Sequence, residues 1–244
     1  MFIGIIGASG RLGLLTCELL EQEKTSFVKI LRSDLSSIEN FKQLLIDIPQ
    51  DLLLLDISLP QGTFNLCNII SELDKDYLTR IRGLVVGTTG HSQVQKEVLQ
   101  KVSEKIPICL VSNFSKGIFL FEELLKAQTT LGLSVSDLAQ KLGFDLAVHE
   151  SHHTQKKDSP SGTALTLADA ASIKHERISS LRVGKVIGEH TLVMSSHSEN
   201  LQITHTAYTR KLFAEGALEI CRNIYKNRPK PGFLRKEDFF IQMT

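Results

Sequence analysis

Two units of α/β type are predicted from this chain: a parallel sheet with crossover helices, then a smaller α+β domain with an open mixed or antiparallel sheet. Three observations lead there. Strand-length apolar runs alternate with segments of helical periodicity before Asn113. Beyond Asn113 the alternation stops and β-rich segments follow one another. The 244 residues suffice for one large domain or two small ones with cores of their own.

The first strand is Phe2 to Ile6, an unbroken apolar run, and Leu12 to Leu20 carries apolar residues at helical spacing. The pairs that follow are Phe27 to Leu31 with Ile38 to Ile48, Leu52 to Ile57 with Phe64 to Leu73, and Leu84 to Val86 with Val94 to Val102; the strand Ile106 to Val111 closes the series. Strands separated by helices cannot form hairpins, so each connection crosses over and the sheet is parallel. In the second part a helical stretch, Ile118 to Leu131, leads to a strand ending near Glu150. A polar loop follows, then a helix from about Thr163 to Ile173. The β-rich segments His190 to Ser196 and Asn200 to Thr206 flank the turn at Ser198-Glu199. On pattern alone the last helix, Phe213 to Tyr225, and the turn Pro229-Lys230-Pro231-Gly232 fit either domain. No fixed-period repeat or low-complexity linker interrupts the chain.

Composition narrows the function classes. Hydrophobic residues at 42% and charged residues at 23% exclude a disordered, collagenous or coiled-coil chain. Lys+Arg 28 against Asp+Glu 27, net +1, does not suit a protein that coats nucleic acid. Apolar runs such as Leu52 to Leu55 fall far short of the roughly 20 residues that span a bilayer, so no membrane partner is expected. Phe2 to Ala8 lacks a basic flank and runs into Gly10-Arg11, which argues against a signal peptide. Cys17, Cys67, Cys109 and Cys221 lie far apart with no C-x-x-C pair, which fits apolar filler in a reducing cytosol.

Gly7-Ala8-Ser9-Gly10-Arg11-Leu12-Gly13 joins the first strand to the first helix. Glycines at such a junction let the backbone approach a pyrophosphate, and the helix dipole favours its charge. The same glycines would serve a tight turn with no ligand. With its flanking strand and helix and the α/β units behind it, the loop predicts a Rossmann-like dinucleotide site. Where an NAD site usually offers an acid to the ribose, this chain has Leu31-Arg32-Ser33-Asp34. Arg32 suits a 2′-phosphate, so NADPH is expected to be accepted at least as well as NADH; an ordinary exposed arginine is the alternative. Gly87-Thr88-Thr89-Gly90 and Ser112-Asn113-Phe114-Ser115 follow the fourth and fifth strands, at the carboxyl ends where ligands of such sheets lie.

The densest chemistry runs from His149 to Ala164: His-Glu-Ser-His-His-Thr-Gln-Lys-Lys-Asp-Ser-Pro-Ser-Gly-Thr-Ala. His149 and His153 have the spacing of a helical zinc pair, but the flanking pattern is strand into loop and two lysines would repel a cation. No metal is expected. An acid and anion site fits better. Ser161, Gly162 and Thr163 open a helix, where N–H groups and hydroxyls suit a carboxylate. His153 and a lysine can neutralise one, and His152 can transfer protons near neutral pH. A lysine among cationic neighbours gives up its proton more readily, which makes it a candidate acid. The alternative is a capped helix beside solvated histidines.

The stretch Glu150 to Thr163 resembles the signature E-x-H-H-x-x-K-x-D-A-P-S-G-T-A of the 4-hydroxy-tetrahydrodipicolinate reductase family, also called dihydrodipicolinate reductase. Gly7 to Gly13 is similar to that family's nucleotide loop, and Gly87 to Gly90 and Asn113 to Ser115 to its nicotinamide loops. Val186 to Thr191, Ile203 to Arg210 and Phe213 to Ala217 are similar to its later strands and return helix. The likeness covers nearly the whole chain. It implies a cytoplasmic enzyme of the diaminopimelate route to lysine that uses NADPH or NADH, or both, to reduce a small cyclic dicarboxylate. His152 would be the acid–base residue and Lys156 the proton donor, while His153, Lys156, Ser161, Gly162 and Thr163 would hold carboxylates. The resemblance also implies a discontinuous nucleotide domain, residues 1–114 and 211–244. Residues 115–210 would form the substrate and oligomerisation domain of a homotetramer, with closure of the domains over substrate. The chain departs from the pattern at Lys157, Ser159, Lys116 and Phe119, and it is shortened between Ile173 and Ser180 and after Arg32. A cofactor-binding sensor or another two-domain amino-acid dehydrogenase are the competing classes. Neither accounts for the His-His-x-x-Lys and Ser-Gly-Thr spacing.

Overall fold

Unbroken apolar strands lie at the centre of the first sheet. In the computed structural model, which describes residues 1–49 and 51–240, β3 (Leu52–Asp56) is buried along its whole length and β1 (Phe2–Ile6) and β4 (Ile81–Val86) nearly so. Both faces of a parallel sheet are covered by crossover helices, which is why these strands do not alternate with polar residues. With β2 (Phe27–Ile30), β5 (Pro107–Leu110) and β10 (Gly232–Leu234) they form a six-stranded sheet in the order β10-β5-β4-β3-β1-β2, parallel throughout. The helices are α1 (Arg11–Gln22), α2 (Ile38–Asp47), α3 (Pro60–Glu72), α4 (Lys75–Leu78), α5 (Gln93–Ser103) and, later in the chain, α9 (Lys211–Asn227) and α10 (Glu237–Phe240).

The sheet has one strand more than the pattern predicts. Three residues after Pro231 add to its edge as β10, too short a run to read as a strand among turn residues. Strand β2 stops at Ile30, because the Leu31 N–H turns to the Asp34 carboxylate at 2.6 Å. Helix α9 packs so closely beside Phe114 that a Cβ on Gly216 would collide with the Phe114 carbonyl oxygen. Gly216→Ala is therefore expected to lower stability by about 1–3 kcal/mol, measurable by denaturant unfolding.

The chain divides into two compact units, Met1–Phe114 with the segment from Phe213 onward, and Ser115–Leu212. In the second, serines cap every α-helix. Ser115 accepts from the Ile118 N–H ahead of α6 (Lys116–Lys126), Ser134 from Asp137 ahead of α7 (Val135–Lys141), and Ser161 from Ala164 ahead of α8 (Gly162–Ala170). The sheet has the order β7-β6-β8-β9, built from β6 (Asp145–His152), β7 (Ile178–Arg182), β8 (Glu189–Ser195) and β9 (Asn200–Thr206). β6 pairs parallel with β7 and antiparallel with β8, so the sheet is mixed.

The structure differs from the sequence pattern at three places here. The helix predicted to reach Leu131 ends at Lys126, and α7 lies between it and β6. Strand β7 went unpredicted because Ile-Ser-Ser-Leu-Arg is polar and largely exposed at a sheet edge. Strand β6, expected to end near Glu150, runs two residues further to His152. The last point matters for the chemistry. Leu146, Val148, Glu150 and His152 alternate onto the face beneath α6, α7 and α8, and His190, Leu192 and Met194 of β8 share that face. The polar residues therefore extend an apolar core row.

Candidate active site

In the first unit the glycine loop is a backbone cradle. Gly7 has φ 86°, in the left-handed region, and a Cβ there would lie 2.6 Å from the Ile57 carbonyl oxygen. The Gly10 N–H donates to the Gly7 carbonyl at 3.0 Å, and a Cβ on Gly13 would strike that same oxygen. Helix α1 starts at Arg11, directly after Ala8, Ser9 and Gly10, and Gly10 as its cap supplies no side-chain acceptor to the first-turn N–H groups. Those residues, with Leu12, fit a pyrophosphate. Arg32 is exposed in the turn directly after β2, while the neighbouring Asp34 carboxylate is taken up by the Leu31 N–H.

The loops after β4 and β5 lie together. A Cβ on Gly87 would run into the Phe114 ring, and the buried Thr88 hydroxyl reaches Asp56 Oδ1 at 3.3 Å. Thr89 and Ser112 are exposed and Asn113 is half-buried. Asp56 is a residue that reading the sequence missed. It is fully buried at the end of β3, where Ser58 donates to Oδ1 from both its N–H, at 3.0 Å, and its hydroxyl, at 2.5 Å. An acid ending the run Leu52 to Leu55 was the available signal.

In the second unit the sheet register assembles the site. Ser180, Glu150, His190 and His205 stand in one cross-strand row. Glu150 is fully buried. Its Oε1 accepts from Arg182 Nη2 at 2.8 Å and from the Ser161 N–H at 3.0 Å, while His152 Nδ1 lies 3.1 Å and His190 Nε2 3.8 Å from Oε2. Burial alone would raise this carboxyl, but His152, Ser161 and Arg182 together overcome it and hold the group well below the usual carboxylate range. Burial pushes His190 down to about 3, helped by His152 and opposed by Glu150, so its ring is neutral at neutral pH. Burial also lowers His205, whose Nε2 lies 3.2 Å from Ser115 Oγ.

Around this row stand the groups expected to bind an anion. Arg182 Nη2 also donates to the Asp158 carbonyl at 2.6 Å, tying the loop to the sheet. Gly162 opens α8, and a Cβ there would meet open space. Thr163 and His153 are half-buried beside it. Lys156 does not sit among cations as expected. Its Nζ lies 2.9 Å from Asp158 Oδ1. Burial raises the Asp158 carboxyl, and Lys156 with the backbone N–H of Gly162 outweighs that and holds it below its ordinary value. Asp158 thus occupies two donors suited to a substrate carboxylate.

His149 and His153 do not form a pair. His149 faces the other side of the strand, 2.9 Å from Ser179 Oγ and 3.2 Å from Ser151 Oγ. The reading of solvated histidines fails for His152, which is buried. Donor atoms of Glu150, His152 and His190 lie within 4.8 Å of one another, close enough for an ion to bridge. The Arg182 guanidinium on the same carboxylate opposes a cation there. All four cysteines are buried and unpaired, and burial pushes the Cys67 and Cys109 thiols up to about 12. Native protein at pH 8 is expected to leave all four unmodified by a disulfide thiol reagent, with four reacting after denaturation.

The residues fall to two halves of one family: 1–114 match the dihydrodipicolinate reductase N-terminus and 128–240 its C-terminus. The chain belongs to the dihydrodipicolinate reductase family. A 4-hydroxy-tetrahydrodipicolinate reductase of Nitratiruptor is 30% identical over 268 aligned residues, covering 97% of each chain. One from Stenotrophomonas maltophilia is 39% identical over 178 residues, 72% of this chain and 67% of its own. The fold is that of a dipicolinate-bound dihydrodipicolinate reductase from Paenisporosarcina, with TM-score 0.68, 19% identity, and 98% and 99% of the two chains covered. Dihydrodipicolinate reductases use NAD(P)H, and the glycine cradle fits that cofactor. No helix among the described residues is long and apolar enough to cross a membrane.

Proposed function

We propose that this chain reduces 4-hydroxy-tetrahydrodipicolinate to tetrahydrodipicolinate with loss of water, on the diaminopimelate route to lysine. The carrying observation is the rim of the second unit. There the buried His152 imidazole, the Lys156 ammonium and the N-terminus of α8 are bound together through Glu150, Arg182 and Asp158. A sensor would need no proton donor beside an anion site.

Each residue has a task. The bound nicotinamide cofactor supplies a hydride to the conjugated ring. His152 serves as the acid–base group in the loss of water, taking the proton from the ring carbon beside the hydroxyl and returning it to the leaving oxygen, and Lys156 delivers a proton to the ring atom left electron-rich by the hydride. His153, Lys156, Ser161, Gly162 and Thr163 hold the two carboxylates, drawing on the helix dipole and fixed N–H groups. In the first unit Gly7, Ala8, Ser9, Gly10, Arg11, Leu12 and Gly13 cradle the pyrophosphate, and Gly87, Thr88, Thr89, Ser112, Asn113 and Phe114 line the nicotinamide end.

Arg32 recognises the 2′-phosphate of NADPH. Supporting this, Asp34 is committed to its own turn and leaves no acid for a ribose hydroxyl. Arg32→Ala is expected to raise KM for NADPH about tenfold and leave that for NADH within about twofold, by steady-state kinetics with each cofactor. The enzyme works in the cytoplasm as a homotetramer. The sheet face opposite α6, α7 and α8 exposes Ser179, Leu181, Gln202 and Thr204, which supports assembly through that face. Sedimentation would read the assembly state.

The deciding assay follows NADPH and NADH oxidation with freshly generated 4-hydroxy-tetrahydrodipicolinate. Oxidation that depends on substrate is expected with both cofactors. Binding of cofactor with no oxidation of either would overturn the assignment in favour of a sensor.

A further inference from the structure

We propose that Glu150 is a positioning residue for His152: its carboxylate holds the Nδ1 side of the ring, so that Nε2 is the nitrogen that exchanges a proton with substrate. The proposal rests on the reading that His152 is the acid–base group. The sheet itself creates the pair, because residues two apart on β6 share a face.

Anchoring of the carboxylate is independent of the ring it orients. Oε1 is fixed by Arg182 at 2.8 Å and by the Ser161 N–H at 3.0 Å, which leaves Oε2 directed at the imidazole. His152 Nδ1 stands 3.1 Å away at ion-pair distance but out of line for a hydrogen bond, so among the described residues both that nitrogen and Oε2 are left without a hydrogen-bond partner. A buried, ionised oxygen without a donor is costly, and a small turn of the ring in its Nδ1–H form brings a donor into line with it. His190 is a poor competitor. Its Nε2 is 3.8 Å from Oε2 and 3.3 Å from Ser161 Oγ, and its ring stands edge-on to His152 with centroids 5.0 Å apart. As a neutral ring it packs beside the pair without taking the carboxylate as counter-ion.

The other nitrogen faces a gap left by a glycine. A Cβ on Gly188 would lie 3.1 Å from His152 Nε2, so the bare backbone at Gly188 keeps that nitrogen uncrowded. The proton balance follows. A protonated His152 gives up the Nε2 proton to substrate and becomes the neutral Nδ1–H tautomer, and the same ring accepts a proton at Nε2 in the reverse direction. Glu150 stays ionised in both states and neither gains nor loses a proton.

The test combines nitrogen-15 NMR of the histidine rings with kinetics, both on the full chain, with His152 assigned from the signal lost in His152→Ala. Neutral His152 is expected as the Nδ1–H tautomer, and Glu150→Gln should shift it towards Nε2–H. The same variant should lose about a hundredfold or more in kcat with substrate KM and cofactor affinity within about twofold, and Glu150→Asp should recover part of the loss. Gly188→Ala should lower kcat while the Nδ1–H tautomer persists. An Nε2–H tautomer in the unsubstituted protein, or full kcat in Gly188→Ala, would overturn the proposal even if Glu150→Gln does not fold. If the protein shows the Nδ1–H tautomer but no reductase turnover, the pairing stands and the assigned reaction falls.

Discussion

Lys156→Ala and His152→Ala each lower kcat by about 10²–10⁴-fold, the range that a positioned acid or base contributes. The two variants should differ in KM. Lys156 is assigned both a proton and a carboxylate contact, so its loss raises substrate KM as well. His152 is buried against Glu150 and assigned no carboxylate, so its loss acts on kcat with KM nearly unchanged. Neither belongs to the nucleotide cradle, and NADPH affinity by fluorescence titration should stay within about twofold of the parent. Together the two substitutions should cost less than the product of the separate losses, because each disables the same transfer sequence. Unchanged turnover in both single variants would reject the assigned roles. A loss of NADPH binding in either would mean that the substitution disturbs the fold rather than the chemistry.

Periodicity revealed the first unit well, and for a physical reason. Its strands are buried on both faces and its helices on one, so Leu52 to Leu55 and the spacing of Leu12 to Leu20 carry the whole signal locally. The elements that escaped are those stabilised by neighbours. β10 exists because β5 offers an unpaired edge, and β7 because β6 does, while their own residues are short, polar or exposed.

The site divides in the same way. The identities of His152, Lys156 and Gly162 were visible as a dense polar cluster, but the partners that set their behaviour were not. Arg182 and His190 lie 32 and 40 positions from Glu150 and reach it only through strand register. Lys156 was expected among cations because Lys157 is its neighbour in sequence; folding instead presents Asp158 to it. That substitution of an anion for a cation alters the picture of the loop, since Lys156 and the Gly162 N–H already hold the Asp158 carboxylate. Asp56 shows the limit of motif reading from another side, as its partners Ser58 and Thr88 belong to two different loops.

Arg182→Ala should destabilise the fold by about 3–5 kcal/mol near neutral pH, the cost of leaving a buried carboxylate without its counter-ion. Glu150 is fully buried and the Arg182 side chain is 18% exposed, so little solvent is at hand to replace the guanidinium. The variant also removes the link to the Asp158 carbonyl and should loosen the loop that carries Lys156. The effect has a definite pH dependence. Glu150 titrates in the folded protein far below its ordinary 4.5, so it contributes stability that is present above about 4.5 and is lost as pH falls through the folded value. Without Arg182, burial is opposed only by the remaining hydrogen-bond partners such as His152 and Ser161, so the folded carboxyl moves up and takes up a proton at higher pH than in the parent. The gap in unfolding free energy between parent and variant should therefore narrow as pH is lowered from 7.5 to 5. Arg182→Lys should restore part of it, since an ammonium replaces the charge but not the fork that serves Glu150 and Asp158 together. Urea unfolding at the two pH values reads all three quantities. A loss below about 1 kcal/mol at pH 7.5, or a gap that does not change with pH, would show that the guanidinium is not what keeps Glu150 ionised.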